Sequence, residues 1–272
     1  MTFREKLARA AAKNRSLLCV GLDPDPERLP VRDAAAFLGA IVEATSDLVC
    51  AYKPNLAFFE QMGEEGYRTL RAVIRAIPDD IPVIGDAKRG DIGNTARAYA
   101  RALFDDLGFD AATVNPYLGG DAVTPFLEYA DRGVFILCRT SNPGARDLQD
   151  LAVEFEGGSR PLYEVVAELA GRWNTHGNVG LVAGATYPGE LRRLRGLCPE
   201  LLFLMPGVGA QEGDLKAAVA AGLDAEGGGL IVAVSRAVLY ASTGPDFAGA
   251  ARREAQTLRD AIEEQRRAVA GA

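Results

Sequence analysis

Short apolar runs alternate along the chain with longer amphipathic segments. Eight apolar runs have the length of strands, at residues 17–22, 48–53, 81–86, 111–115, 134–139, 179–183, 201–205 and 229–234. Segments with helical periodicity lie at residues 34–47, 60–77, 97–107, 122–129, 161–173, 189–195, 212–221 and 247–268. Nearly all of the strands are continuously apolar, which is typical of a parallel sheet covered on both faces.

Eight strand–helix units predict an α/β fold, a (β/α)8 TIM barrel. No linker or shift in composition marks a second domain. We therefore expect residues 1–272 to form a single barrel domain. An N-terminal helix over about residues 1–15 and a C-terminal helix over about residues 246–270 would flank the barrel.

Polar and glycine-rich residues follow the predicted strands, at the end of the barrel where enzymes of this fold bind their substrates. These candidates are Asp23, Lys53, Asp86 with Lys88, Asn115, Ser141 within residues 140–144, Pro206, Gly207 and Gln211 within residues 206–211, and Ser235 with Arg236. The connection over residues 142–160 is long and of mixed charge, and long loops at this rim of a barrel are commonly lids.

The segment DAKRGDIGNT at residues 86–95 is the most informative part of the chain. Alternation along a strand places Asp86 and Lys88 on one face. Opposite charges at the end of a buried strand are costly to desolvate and are seldom retained for stability alone. Asp91 and Thr95 are four residues apart, and we expect them to share a face at the start of a helix. A salt bridge followed by an Asp91 N-cap is the purely structural alternative.

Composition excludes several classes of function. The formal net charge of -7 argues against nucleic acid as the main partner. The 4 cysteines are widely spaced without a CxxC pair, which argues against zinc ligation and disulfides and fits a cytoplasmic location. The single histidine, His176, leaves no Ser-His-Asp triad or histidine-rich metal site to expect. No apolar run has the length of a membrane span, and the first residues lack the apolar core of a signal peptide.

The chain resembles the orotidine 5′-monophosphate decarboxylase family. Three segments resemble the longer bacterial branch of that family, namely DPDP at residues 23–26, KPN at 53–55 and TVNPY at 113–117. The resemblance rests on GLDP at residues 21–24, KPN at 53–55, DAKRGDIGNT at 86–95, PGVGAQ at 206–211, and Ser235-Arg236, in that order. The third motif is highly specific, and the others are persuasive together. The chain departs from the commoner branch at Ser235, where that branch has glycine, and in the local context of Ser141.

The resemblance implies removal of CO₂ from C6 of orotidylate to give uridylate in pyrimidine biosynthesis, without a metal or an organic cofactor. It implies a catalytic set of Lys53, Asp86, Lys88 and Asp91 in a homodimer, with Asp91 and Thr95 reaching the neighbouring subunit's site. The remaining contacts it implies are Asp23 to the ribose, Ser141 to the pyrimidine, and Pro206, Gly207, Gln211, Ser235 and Arg236 around the phosphate. Asn115, from its position after a strand, is either a substrate contact or a turn residue at the strand end.

Elementary chemistry agrees with a central role for Lys88. Loss of CO₂ leaves negative charge on an sp² carbon that has no enol or imine to delocalise it. A fixed cation must stabilise that charge, and the ammonium of Lys88 can then deliver a proton to the carbon. Flanking carboxylates would keep this lysine charged.

Three other functions remain as alternatives. Magnesium-dependent sugar-phosphate lyases of the same superfamily share the Asp-x-Lys-x-x-Asp pattern, but they carry an acidic residue where this chain has Lys53. A Schiff-base aldolase would need a lysine of lowered pKa, whereas carboxylates that flank a lysine act in the opposite direction. The third alternative is a binding protein and not an enzyme, namely a barrel that binds a phosphate ligand without turnover.

Overall fold

The computed structural model describes residues 1–207 and 212–270. The strands of this part are β1 (Leu18–Gly21), β2 (Ala51–Lys53), β3 (Ile84–Arg89), β4 (Ala111–Val114), β5 (Gly133–Arg139), β6 (Ala152–Phe155), β7 (Gly158–Pro161), β8 (Val179–Ala183), β9 (Leu202–Met205) and β10 (Leu230–Val234). All of them except β6 and β7 form one parallel sheet in the order β2-β1-β10-β9-β8-β5-β4-β3.

The two ends of this sheet meet, so the sheet is a barrel. Parallel bridges from Tyr52 to Val83 and from Asn55 to Asp86 join β2 to β3. The amide of Asp86 donates to the carbonyl of Pro54 at 2.9 Å across this seam. The prediction of a (β/α)8 TIM barrel is therefore confirmed.

Helices alternate with the strands of the barrel. They are α1 (Phe3–Asn14), α2 (Ala34–Thr45), α3 (Leu56–Glu60), α4 (Gly63–Ala76), α5 (Gly93–Arg101), α6 (Gly120–Leu127), α7 (Leu162–Trp173), α8 (Pro188–Leu197), α9 (Glu212–Gly222), α10 (Arg236–Leu239) and α11 (Phe247–Ala270). The predicted helix at residues 60–77 begins later than expected, because Glu60 ends α3 and α4 starts at Gly63, which has a left-handed backbone (φ 60°). None of the helices in the described residues is long and apolar enough to cross a membrane.

Apolar side chains fill the space on both sides of the barrel wall. Leu18, Val20 and their counterparts on other strands pack outward against the helices, whereas Cys19, Ile84 and Phe135 belong to a separate cluster inside the barrel. Phe3 of α1 closes the lower end of that inner cluster by an edge contact with Phe135, with ring centroids 5.7 Å apart. The carboxyl ends of the strands consequently remain at the opposite rim for polar residues.

The connection at residues 142–160 contains more structure than a lid loop. A 3-10 turn (Pro143–Asp147) is followed by β6 and β7, which form an antiparallel hairpin. The two residues between the strands, Glu156 and Gly157, have φ of 50° and 82°. Positive φ at both central positions is the geometry that closes a tight β-hairpin.

Candidate active site

Asp86, Lys53 and Lys88 form an ion-paired triad at the carboxyl end of the barrel. Nζ of Lys53 lies 2.9 Å from Oδ2 of Asp86, and Nζ of Lys88 lies 2.6 Å from Oδ1. The side chains of Lys53 and Asp86 are 9% and 10% exposed, whereas that of Lys88 is 47% exposed. The triad therefore has a buried anchor and one cation that solvent or a ligand can reach.

The charges of the buried pair stabilise each other. Burial alone raises the pKa of Asp86, but the ammonium groups of Lys53 and Lys88 outweigh it and hold the pKa of this carboxyl well below its usual range. Burial alone lowers the pKa of Lys53, but the carboxylates of Asp86 and Asp23 outweigh it and hold this pKa above its usual value. Asp86 is thus a carboxylate and Lys53 an ammonium at neutral pH.

The backbone of Lys88 is unusual. Its φ of 48° is left-handed, a region that costs a non-glycine residue roughly 1–2 kcal/mol. The pairing of β3 with β4 shifts at this point, because Gly85 is opposite Ala112 but Arg89 is opposite Val114. The prediction that Asp86 and Lys88 lie together is consistent with this geometry, although a bulge rather than a regular strand brings them there.

Thr113 is a member of this cluster that sequence reasoning missed. Its Oγ1 donates to Oδ1 of Asp86 at 2.9 Å and accepts the amide of Lys88 at 2.9 Å. The residue lies on β4 and is 1% exposed. Its position beside Asp86 depends on the register between two strands, which the apolar pattern of either strand does not contain.

Asp23 and Ser235 form a second polar group at the same rim, after β1 and β10. Oγ of Ser235 donates to Oδ2 of Asp23 at 2.6 Å, and the amide of Asn55 donates to Oδ1 at 3.1 Å. A Cβ on Gly21 would lie 2.7 Å from Cβ of Ser235 and 3.3 Å from Oδ2 of Asp23. Glycine at position 21 is what allows this close approach, and Asp23 keeps lone pairs for a ligand hydroxyl.

Ser141 lies between two loops that follow β8 and β9. A Cβ on Gly184 would lie 2.9 Å from the amide nitrogen of Ser141, and a Cβ on Gly207 would lie 2.8 Å from Oγ of Ser141. Pro206 is part of this contact, since its carbonyl accepts the amide of Ala185 at 3.0 Å. The structure thus brings Ser141, Pro206 and Gly207 together, while Gln211 lies outside the described residues.

Arg236 and Asn115 occupy exposed positions on the rim. Arg236 is the first residue of α10, with Ser235 as its N-cap. Asn115 follows β4, and its Oδ1 accepts the amide of Tyr117 at 3.0 Å. That bond is the turn-forming interaction of an asparagine at a strand end, so the structure gives Asn115 a local structural role.

The expectation that Asp91 and Thr95 share a helical face is wrong. Helix α5 begins at Gly93, with Ile92 as its N-cap, so Asp91 precedes the helix and does not cap it. Oδ1 of Asp91 instead accepts the amide of Ile92 at 2.8 Å. Within the described part of one chain, no hydrogen bond or ion pair joins Asp91 to Lys53 or Lys88.

Arg139 is a buried cation at the end of β5 that the sequence did not single out, because it ends an apolar strand. It is 2% exposed and forms ion pairs with Glu190 of α8 and with Asp150 at 3.1 Å. Its guanidinium lies 5.1 Å from the ring centroid of Tyr187. Arg139 therefore connects β5 with the segment just before β6, through Asp150, and with α8, through Glu190.

The structure also places the four cysteines and the single histidine. All four cysteines are free and buried. His176 is exposed in the turn before β8. Across residues 1–207 and 212–270, no group of three or more His, Cys, Asp or Glu side chains is placed to hold a metal ion.

Comparison with known proteins shows what the chain is similar to. A protein from Roseiflexus sp. (strain RS-1), named orotidine 5'-phosphate decarboxylase, is 55% identical over 269 residues, which cover 96% of this chain and 97% of the relative. A protein of the same name from Thermomicrobium roseum is 55% identical and covers 100% of this chain and 98% of its own length. The solved structure of Leishmania donovani OMP decarboxylase has a TM-score of 0.87 at 46% identity, covering 98% of this chain and 99% of that one.

The family model described as "Orotidine 5'-phosphate decarboxylase / HUMPS family" matches residues 16–251. This match spans every strand of the barrel, from β1 to β10, and includes the triad, Thr113, Asp23 and Ser235. On the match and on the identities given above, the chain belongs to the orotidine 5'-phosphate decarboxylase / HUMPS family.

Proposed function

We propose that this protein decarboxylates orotidine 5′-monophosphate to uridine 5′-monophosphate, a step of pyrimidine biosynthesis, without a metal or organic cofactor. The observation that carries the proposal is the triad, in which Lys53 and Lys88 contact opposite oxygens of the single carboxylate of Asp86. The buried lysine fixes Asp86, and the accessible lysine is left for the substrate. The name shared by the relatives supports the same activity.

In the proposed reaction the bond from C6 to the carboxylate breaks, CO₂ leaves, and the electron pair stays on C6. The ammonium of Lys88 stabilises this charge and then gives C6 a proton, and solvent reprotonates the amine. One charge pair at about 4 Å with an effective dielectric near 20 is worth roughly 4 kcal/mol, or about three powers of ten in rate. The remainder of the acceleration is assigned to binding energy from the distant phosphate.

The substrate contacts follow the arrangement of the rim. Asp23 accepts hydrogen bonds from the ribose hydroxyls, and Ser141 contacts the pyrimidine. The backbone at Pro206 and Gly207, with Ser235, the guanidinium of Arg236 and the amide of Gln211, holds the phosphate dianion. Asn115 would contact the substrate only in addition to its turn, in which its Oδ1 accepts the amide of Tyr117.

The functional unit that we propose is a homodimer in the cytoplasm. Lys53, Asp86 and Lys88 of one chain carry a net charge of +1, and Asp91 of a second copy would neutralise it. Exposed apolar residues after the neighbouring strands β3 and β4 support this assembly, because Ile92, Tyr117 and Leu118 are 55%, 79% and 49% exposed. Apolar side chains exposed together are typical of a protein interface. Thr95, on the exposed side of α5, would cross with Asp91.

The decisive assay follows the loss of orotidylate absorbance by purified protein in excess EDTA. We expect turnover by the wild type and a loss of about a thousandfold or more in Lys88→Ala. Turnover that requires magnesium, on a sugar phosphate in place of orotidylate, would favour the lyase of the same superfamily. Binding of uridylate without turnover of either substrate would leave a phosphate-binding barrel.

A complementation assay tests the shared site. Lys88→Ala and Asp91→Ala are each expected to be nearly inactive alone. In a mixed dimer, one site would contain both changes and the other neither, so statistical mixing should restore about a quarter of the wild-type activity. If mixing restores nothing while mixed dimers are shown to form, Asp91 acts within its own chain or not at all.

A further inference from the structure

The hydroxyl of Thr113 forms hydrogen bonds with two members of the triad, Lys88 and Asp86. It accepts a hydrogen bond from the backbone amide of Lys88 and donates one to the carboxylate of Asp86, both at 2.9 Å. An ionised carboxylate only accepts hydrogen bonds, so the direction of the second bond is fixed. With Thr113 1% exposed and Asp86 8% exposed, water does not compete freely for these bonds.

This bond replaces one that the sheet cannot provide. Along β3 there are four residue steps from Gly85 to Arg89, whereas the paired positions on β4, Ala112 and Val114, are only two steps apart. The extra residues leave the amide of Lys88 without its regular partner on β4, and the hydroxyl of Thr113 accepts it instead. A left-handed lysine is strained, so it persists only where its surroundings hold it.

We propose that Thr113 is a positioning residue for the decarboxylation, because its hydroxyl fixes the left-handed backbone of Lys88 relative to the carboxylate of Asp86. This inference rests on the proposed function. In that role Thr113 touches no reacting atom, and it acts by directing the ammonium of Lys88 toward the position of C6. A small misplacement of a group that acts in the transition state lowers kcat and leaves ground-state binding largely intact.

The simplest competing role is packing, and valine separates the two because it keeps the shape of threonine but lacks the hydroxyl. We expect T113V to lower kcat by about 10- to 100-fold, with KM and the Kd for uridylate within about threefold of the wild type. T113S retains the hydroxyl and should keep kcat within about threefold.

A matched control is available in Thr45, which is also fully buried and whose hydroxyl lies 2.7 Å from both the carbonyl of Ile41 and the hydroxyl of Tyr52. T45V removes a buried hydroxyl away from the rim, so it should lower the Tm without changing kcat. A wild-type kcat in T113V, or an equal loss in T113S and T113V, would overturn the positioning role.

If T113V does not fold, T113C takes its place, since a thiol fills the site but bonds weakly, and the same tests apply. An inactive wild type would overturn the proposed function and this role with it. An active wild type beside a fully active T113V would overturn the role alone.

Discussion

Lys88 reaches back to Asp86, two residues earlier in the chain, and places Nζ 2.6 Å from Oδ1. The left-handed backbone of Lys88 accompanies this contact, and the pairing of β3 with β4 shifts around it. Conformational strain and the accessible cation thus occur at one residue, which is the combination found where a backbone is held for function.

The strain at Lys88 predicts an inverted order of stability between alanine and glycine. Lys88→Gly and Lys88→Ala remove the same ammonium, but only alanine must keep a Cβ at φ 48°. We expect Lys88→Gly to have the larger free energy of unfolding by about 1 kcal/mol in urea denaturation. At Ala98, an exposed position within α5, Ala98→Gly should instead cost about 1 kcal/mol. Equal stability of the two Lys88 variants would show that position 88 is unstrained.

The buried pair predicts how stability depends on pH. The lowered pKa of Asp86 contributes stability that is complete above the unfolded value of about 3.9 and is lost as pH falls through the native value. The raised pKa of Lys53 contributes stability that is complete below about 10.4 and is lost as pH rises through the native value.

Lys53→Met should therefore cost about 3 kcal/mol of unfolding free energy, and that difference should be constant from about pH 5 to pH 9. Chemical denaturation of both proteins across this range is the measurement. A difference that changes near neutral pH would mean that one member of the pair titrates there.

Gly21 predicts a defect in substrate binding. In Gly21→Ala the new Cβ would approach Cβ of Ser235 to 2.7 Å, so Ser235 and Asp23 must move apart. We expect KM for orotidylate to rise about tenfold, because the proposed ribose contact loses its geometry. The control is Gly39→Ala in α2, where no atom lies within 4 Å of the new Cβ and kinetics should be unchanged. Unaltered KM in Gly21→Ala would remove Asp23 from the binding site.

Removal of the buried charge of Arg139 should lower the stability of the fold strongly. Arg139→Met leaves Glu190 and Asp150 without their buried partner, and we expect a cost of about 3 kcal/mol together with faster amide exchange in β6 and β7. Arg172→Met is the surface control. Its guanidinium is 45% exposed and pairs with Glu156 at 2.7 Å, so its loss should lower stability far less than Arg139→Met does. Comparable losses of stability in both variants would show that the buried ion pairs of Arg139 stabilise the fold no more than a surface ion pair does.

The barrel could be predicted from sequence because each buried strand is continuously apolar and each helix amphipathic. The pairing of Asp86 with Lys88 could be predicted as well, since both lie in one segment. Thr113 and Arg139 could not, because their partners come from other elements: Asp86 lies on the neighbouring strand, and Glu190 is 51 residues away in the chain. The β6–β7 hairpin does leave a signal, in the Glu156-Gly157 turn between short alternating segments, although the length and mixed charge of residues 142–160 favour a lid loop.

Buried thiols make this chain suited to site-specific labelling. Burial raises the pKa of Cys19 to about 12 and also raises the pKa of Cys50, Cys138 and Cys198, so few thiolates form at neutral pH. A cysteine introduced at an exposed rim position such as Gly144 would therefore react with a maleimide dye well before the native thiols. A fluorophore at that position could report, without removal of any native cysteine, whether residues 143–147 change their surroundings when orotidylate binds.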